Sequence, residues 1–188
     1  MGLFDSLLGR SKQAQPNLDA LFGLPGAVLS LEAAADIRPT GHGAVCFREA
    51  EGAPFARLKA EITALLGGAE LQEVRDGYGY TWLVVNRSPD DVSALVTDLH
   101  AVNSTLESAG FGPALLCSTI SLRTVSGQPV ALVYLYKRGT FYPFAPVDSG
   151  AQRRDSALEL QVRALVGSDL PIEADVTRWF PVWGAPGI

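Results

Sequence analysis

Residues 88–137, SPDDVSALVTDLHAVNSTLESAGFGPALLCSTISLRTVSGQPVALVYLYK, change their hydrophobic period part-way along and so decide the fold class. Ser88-Pro89-Asp90-Asp91 offers an N-cap, a proline at the first helical position and two carboxylates facing the positive end of a helix dipole. Val92, Leu95, Val96, Leu99, Val102 and Leu106 then recur at helical spacing, and Gly110 fits the residue just past the helix end. Ala114 to Arg123 and Val130 to Lys137 are instead rich in β-branched and aromatic residues on either side of Ser126-Gly127. That pattern predicts a hairpin.

Upstream, Ala44 to Arg48 predicts a strand, and Phe55, Leu58, Ile62, Leu65 and Leu66 predict a helical stripe that stops at Gly67-Gly68. A strand from Leu71 turns at Asp76-Gly77, the pair favoured by a type I′ turn, and returns from Tyr78 to Asn86. Nearer the start, Asn17 caps a short helix through Phe22 that ends at Gly23 and Pro25. Ala27 to Leu31 predicts a strand, and Glu32 to Gly43, with Pro39, Gly41 and Gly43, a loop. Downstream, Gly139 to Phe144 prolongs the second hairpin and Asp148 to Arg154 is a polar loop. Asp155 opens a helix through Leu158, Val162, Leu165 and Val166, and the tail from Pro171 is extended and aromatic. The expected fold is α+β, a twisted, mostly antiparallel sheet with helices on one face, and a ferredoxin-like core fits this order. Setting the Ala44 strand aside leaves the order of the type III secretion chaperone-like fold, so both topologies stand. Residues 1–15 read as an amphipathic N-terminal helix and linker, and residues 16–188 as a single α+β domain.

Composition narrows the function classes. The 188 residues are 47% hydrophobic, enough for one sizeable core, and 15 Lys and Arg against 20 Asp and Glu leave a net charge of −5. Such a field repels nucleic acid and anionic membranes unless a local basic patch intervenes. Cys46 and Cys117 are the only cysteines and form neither a CxxC nor a Cys/His cluster, so no metal site or disulfide scaffold is expected. With no visible signal peptide, the expected location is the cytoplasm. No apolar run of the length of a membrane span is apparent, while Leu3, Phe4, Leu7 and Leu8 form the apolar side of the first helix and allow peripheral contact at the inner membrane.

The chain contains no GxGxxG, P-loop, GxSxG or HExxH motif, so no cofactor and no catalytic residue is assigned. His100, beside the apolar stripe of the long helix, serves either as a boundary residue bonded to the fold or as a base near neutral pH. Asn103, on the stripe itself, must be hydrogen-bonded if buried, to the fold or to a ligand it orients with His100. The stretch YLYKRGTFYPF, residues 134–144, is the most unusual: Lys137 and Arg138 could cradle an acidic group, with Tyr142 among aromatics able to stack. Trp179 and Trp183 belong to a cluster of rings of the kind enriched at interfaces, though core packing of the tail accounts for them equally well.

Several segments together carry a family resemblance: Tyr78-Gly79-Tyr80-Thr81-Trp82, residues 97–104 (TDLHAVNS), residues 134–144, Arg178-Trp179-Phe180-Pro181, the Met1-Gly2-Leu3-Phe4 opening and the closing Trp183-Gly184-Ala185-Pro186-Gly187. In these the chain resembles the PspA-associated protein PspAB family over nearly its whole length. The resemblance implies association with the phage-shock protein A system, a membrane-protecting envelope-stress response, and carries over no active site. The expectation is therefore a non-enzymatic accessory or adaptor that binds a PspA-like coiled-coil protein or its regulator. Two rivals stand beside it: a ligand-binding domain or small enzyme with one pocket near His100 and Arg138, and a chaperone-like peptide binder.

Overall fold

The computed structural model describes residues 16–48, 53–66 and 71–188. Six strands form one sheet: β1 (Arg38–Arg48), β2 (Leu71–Arg75), β3 (Tyr80–Asn86), β4 (Leu115–Arg123), β5 (Pro129–Leu135) and β6 (Thr140–Phe144). Their order is β2-β3-β1-β4-β5-β6, and every pairing is antiparallel. Helices α1 (Leu24–Ala35), α2 (Ala53–Leu65), α3 (Val92–Leu106) and α4 (Ser156–Val166) pack with one face of that sheet. The α+β expectation of an antiparallel sheet with helices on one face therefore holds. Because β1 bonds to both β3 and β4 at the sheet's centre, the chaperone-like order that set it aside loses its premise.

Alternation along the strands sorts the core into two sides. Val45 and Phe47 of β1 face the helices, while Ala44 and Cys46 face away. Gly43 is what lets α3 lie so close to β1, since a Cβ there would stand 3.0 Å from Leu99 and 3.1 Å from Leu95. The outer side carries Trp82, Val84, Val133, Tyr142 and Phe144, and the C-terminal tail covers much of it with Trp179, Trp183 and Ala185.

Several expectations change. Ala27 to Leu31 is helix, not strand: Pro25 lies in the first turn, and Leu24, Ala27, Val28 and Leu31 recur at helical spacing and are all buried. Glu32 to Gly43 is likewise not a loop, because the helix runs to Ala35, ends at left-handed Asp36 (φ 51°), and β1 begins at Arg38. The supposed breakers there sit at a β-bulge between Pro39 and Gly43, where Gly41 at φ 81° carries no Cβ to strike the Arg87 carbonyl. A 3₁₀ turn at Leu18–Gly23 continues directly into α1, so Leu18–Ala35 is an 18-residue helical stretch of mean hydropathy 1.4, long and apolar enough by length and composition to cross a membrane. Here Leu21 joins the buried stripe of α1, while Phe22 and Leu29 are 51% and 66% exposed.

The start of α3 lies later than expected, because Asp91 rather than Ser88 accepts from the Ala94 N–H at 3.0 Å and Ser88 to Asp91 closes as a turn. Gly110 does take positive φ, 88°, but within a wide turn at Glu107–Phe111 that prolongs the helix. The first hairpin is not a type I′ turn. Its left-handed residue is Gly79 (φ 85°), the Gly79 N–H reaches the Asp76 carbonyl, and the Asp76 N–H reaches the Tyr80 carbonyl, which is a three-residue loop with a bulge. Thr124 to Gln128 repeats this arrangement around Gly127. Leu65 faces solvent at 61% exposure, and the polar loop 148–154 holds part of a two-stranded ribbon, β7 (Pro146–Asp148) with β8 (Arg153–Arg154). The N-terminal segment with Leu3, Phe4, Leu7 and Leu8, and the Gly67-Gly68 stop, lie outside the described residues.

Candidate functional site

On the outer face of the sheet a single row of cross-strand partners runs Trp82, Cys46, Cys117, Leu135 through β3, β1, β4 and β5. Two small side chains thus stand between two large ones. This leaves a hollow, and a cavity of about 600 Å³ opens over it. Tyr78, Tyr80 and Trp82 form one wall, residues 180–183 of the tail another, and Lys137, Arg138 and Arg178 stand among the lining residues. Volume and lining are those of a small-molecule pocket, apolar with a few placed polar groups.

Asp76 fixes the first wall. Its Oδ1 accepts from the N–H groups of Tyr78 and Tyr80, both at 2.9 Å, and its Oδ2 accepts from Trp82 Nε1 at 2.8 Å. Burial pushes this carboxyl up, but those donors outweigh it and hold its pKa below the ordinary value. Glu173, 2% exposed, fixes the tail. It accepts from the Arg138 guanidinium, from Thr140 Oγ1 at 3.1 Å and from the Asp175 N–H at 3.1 Å, and these donors depress its pKa against the opposing effect of burial. Backbone bonds Phe141 N–H to Pro171 and Glu173 N–H to Phe141, both 2.8 Å, lay the tail along the β6 edge. Further along, Tyr142 donates its hydroxyl to the Phe180 carbonyl at 2.6 Å and Arg154 donates to the Trp179 carbonyl at 2.8 Å.

The candidate residues fall into two separate groups. Lys137, Arg138 and Tyr142 all line the cavity, although Arg138 is committed to Glu173 and Tyr142 to the tail. Lys137 is exposed and has no ion-pair or hydrogen-bond partner among the described residues. His100 and Asn103 lie on the helical side of the sheet and do not line it. The His100 ring packs on Phe22 at 4.8 Å, with Asp19 and Ser104 at its two nitrogens. Asn103 is fully buried and donates to the Leu99 carbonyl and to Ser118 Oγ, each at 2.8 Å. A shared pocket of His100, Asn103 and Arg138 is thus not formed, because α3 and the cavity occupy opposite faces. Trp179, 6% exposed, donates its indole N–H to the Glu173 carbonyl and stacks with Tyr142, so it belongs to the core and offers no free surface. Trp183 is half-buried, edge-on to Phe144, and lines the cavity.

Sequence reasoning missed Asp76, Tyr80, Trp82 and the two cysteines as site residues. One signal was available: Tyr78, Tyr80 and Trp82 alternate with smaller residues and so share one face of an extended chain. No comparable signal existed for Cys46 and Cys117, whose juxtaposition depends on the register of β1 against β4. Cys46 is held protonated by its hydrogen bond with Cys117 and by burial, which push its pKa up, and this leaves it a poor nucleophile. Among the described residues no three His, Cys, Asp or Glu side chains converge as metal ligands. The site as built can bind and orient; its carboxylates and thiols are committed to the fold.

A protein-family model described as PspA associated protein B matches residues 1–187. No curated protein and no solved structure matches the chain.

Proposed function

Because the chain belongs to the PspA associated protein B family, we propose that it acts as a non-enzymatic accessory to a PspA-type envelope-stress system, engaging a PspA-like coiled-coil protein or its regulator. The observation that carries this reading is the match of the family model to residues 1–187. In this reading the protein works in the cytoplasm, at times peripheral to the inner membrane. An exposed apolar surface on the Leu18–Ala35 stretch supports the contact, since Phe22 in its 3₁₀ turn and Leu29 in α1 are exposed while Leu21, Leu24, Val28 and Leu31 are buried. Leu3, Phe4, Leu7 and Leu8, upstream of that helix, are a second apolar cluster in the sequence.

The test is a pull-down from lysate of the native organism with three baits: the full-length chain, a chain lacking residues 1–12, and Leu29→Glu. Stoichiometric recovery of a PspA-like protein by the full-length bait is expected. Loss with the truncation assigns the contact to the N-terminal segment, and loss with Leu29→Glu assigns it to α1. If the full-length chain and purified PspA of the same organism fail to associate at micromolar concentration, the accessory reading by direct contact falls.

A further inference from the structure

We propose that the cavity over the Trp82–Cys46–Cys117–Leu135 row is a binding site for a small single-chain amphiphile with one anionic head. The inference does not rest on the partner assignment above, and either can fail without the other.

The cavity is a built feature of the sheet. Elsewhere on the outer face Ala44, Val133 and Phe144 are packed under the tail. Over the row itself a cavity is left open, with Phe180 to Trp183 of the tail among the residues that line it. The floor spans three interstrand spacings, about 14 Å from Trp82 to Leu135, which suits an elongated apolar body lying across the strands.

Charge gives the ligand a direction. At the β3 end, the Asp76 carboxylate meets only neutral donors among the described residues, so its negative charge disfavours a second anion there. The guanidinium groups of Arg138 and Arg178 are neutralised by Glu173 and Asp175. Lys137, which follows the β5 end of the floor, is without a partner among the described residues and free to meet an incoming carboxylate or sulfonate. The head therefore sits by Lys137 and the chain extends over the two thiols toward Trp82, whose indole is already committed to Asp76 and presents its ring.

The test uses the full-length protein and three probes that share one dodecyl chain, laurate, dodecanol and dodecylamine, below their micellar concentrations. Affinity is read by calorimetry and by the change in tryptophan fluorescence. Laurate is expected to bind at least tenfold more tightly than either dodecanol or dodecylamine. Lys137→Glu, at an exposed position, is expected to abolish the laurate preference while leaving dodecanol affinity within about twofold. Leu116→Trp, which fills the cavity from β4, is expected to weaken all three, with an unchanged circular dichroism spectrum as its folding control. Equal affinity for the three heads, a preference for dodecylamine, a laurate preference that survives Lys137→Glu, or no binding of any probe would each overturn the proposal.

Discussion

Asp76 and the cysteine pair show how single residues acquire roles that their identity does not announce. Asp76 reads locally as a turn residue, and it is one; its second oxygen also pins an indole six residues on. Asp76→Ala is expected to cost about 2 kcal/mol at neutral pH, within the range for hydrogen bonds to a charged group, measured by urea denaturation. Because its folded pKa lies below the ordinary carboxylate value, this contribution is present above about pH 4 and fades as pH falls through the folded value. The wild-type advantage over Asp76→Ala should accordingly shrink in denaturation curves taken at falling pH. Cys46 and Cys117 are directly opposed on antiparallel strands, where Cα atoms stand about 4.5–5.5 Å apart, inside the range a disulfide spans. Diamide treatment of the folded protein is expected to remove two hydrogens, seen by intact mass, with a rate that rises with pH and an effect absent in Cys117→Ser. Asn103 was legible as a residue that burial would oblige to bond, but the choice of Ser118 as its partner was not, since the two meet only when α3 lies on β4.

At the scale of elements, α1 is apolar on both sides and only its packing distinguishes them. Leu31→Ala removes a side chain with no exposure and is expected to cost about 2–5 kcal/mol, whereas Leu29→Ser, on the outer side, should change stability by less than about 0.5 kcal/mol. Thermal and chemical denaturation of the two variants side by side checks the assignment. Residues 27–31 of this helix look like a short apolar run in local composition, and periodicity cannot separate a buried strand from a helix over five residues. The tail is an element without regular structure, held by Glu173 and by backbone bonds to β6. Glu173→Ala leaves Arg138 unpaired and is expected to cost about 2–3 kcal/mol, below the figure for a fully buried pair because the arginine side chain is 33% exposed. Hydrogen exchange should show residues 171–183 losing protection well before the central strands.

For the molecule as a whole, the sheet is a floor with two different roofs: helices above, and below it an aromatic tail that covers much of the other face beside the cavity. A chain ending at Leu170 should expose Tyr142 and Phe144, bind a hydrophobic dye and elute as aggregate in size-exclusion chromatography. Much of this architecture was written locally. The stripe of α3, the hairpin glycines and the β-branched strands each follow from short-range spacing and backbone preference, so the α+β class, most of the elements and the polar peculiarity of residues 134–144 could be read along the chain. Strand order, the central place of β1, the meeting of Cys46 with Cys117 and the separation of His100 from Arg138 could not. Those are decided by which apolar faces find one another at long range, and a shift of one residue in the register of β1 would turn Cys46 to the other face. The sequence by itself thus determined most of the elements and the family, while only the tertiary structure decided which residues share a cavity, because a cavity is defined by what the packing of distant segments leaves uncovered.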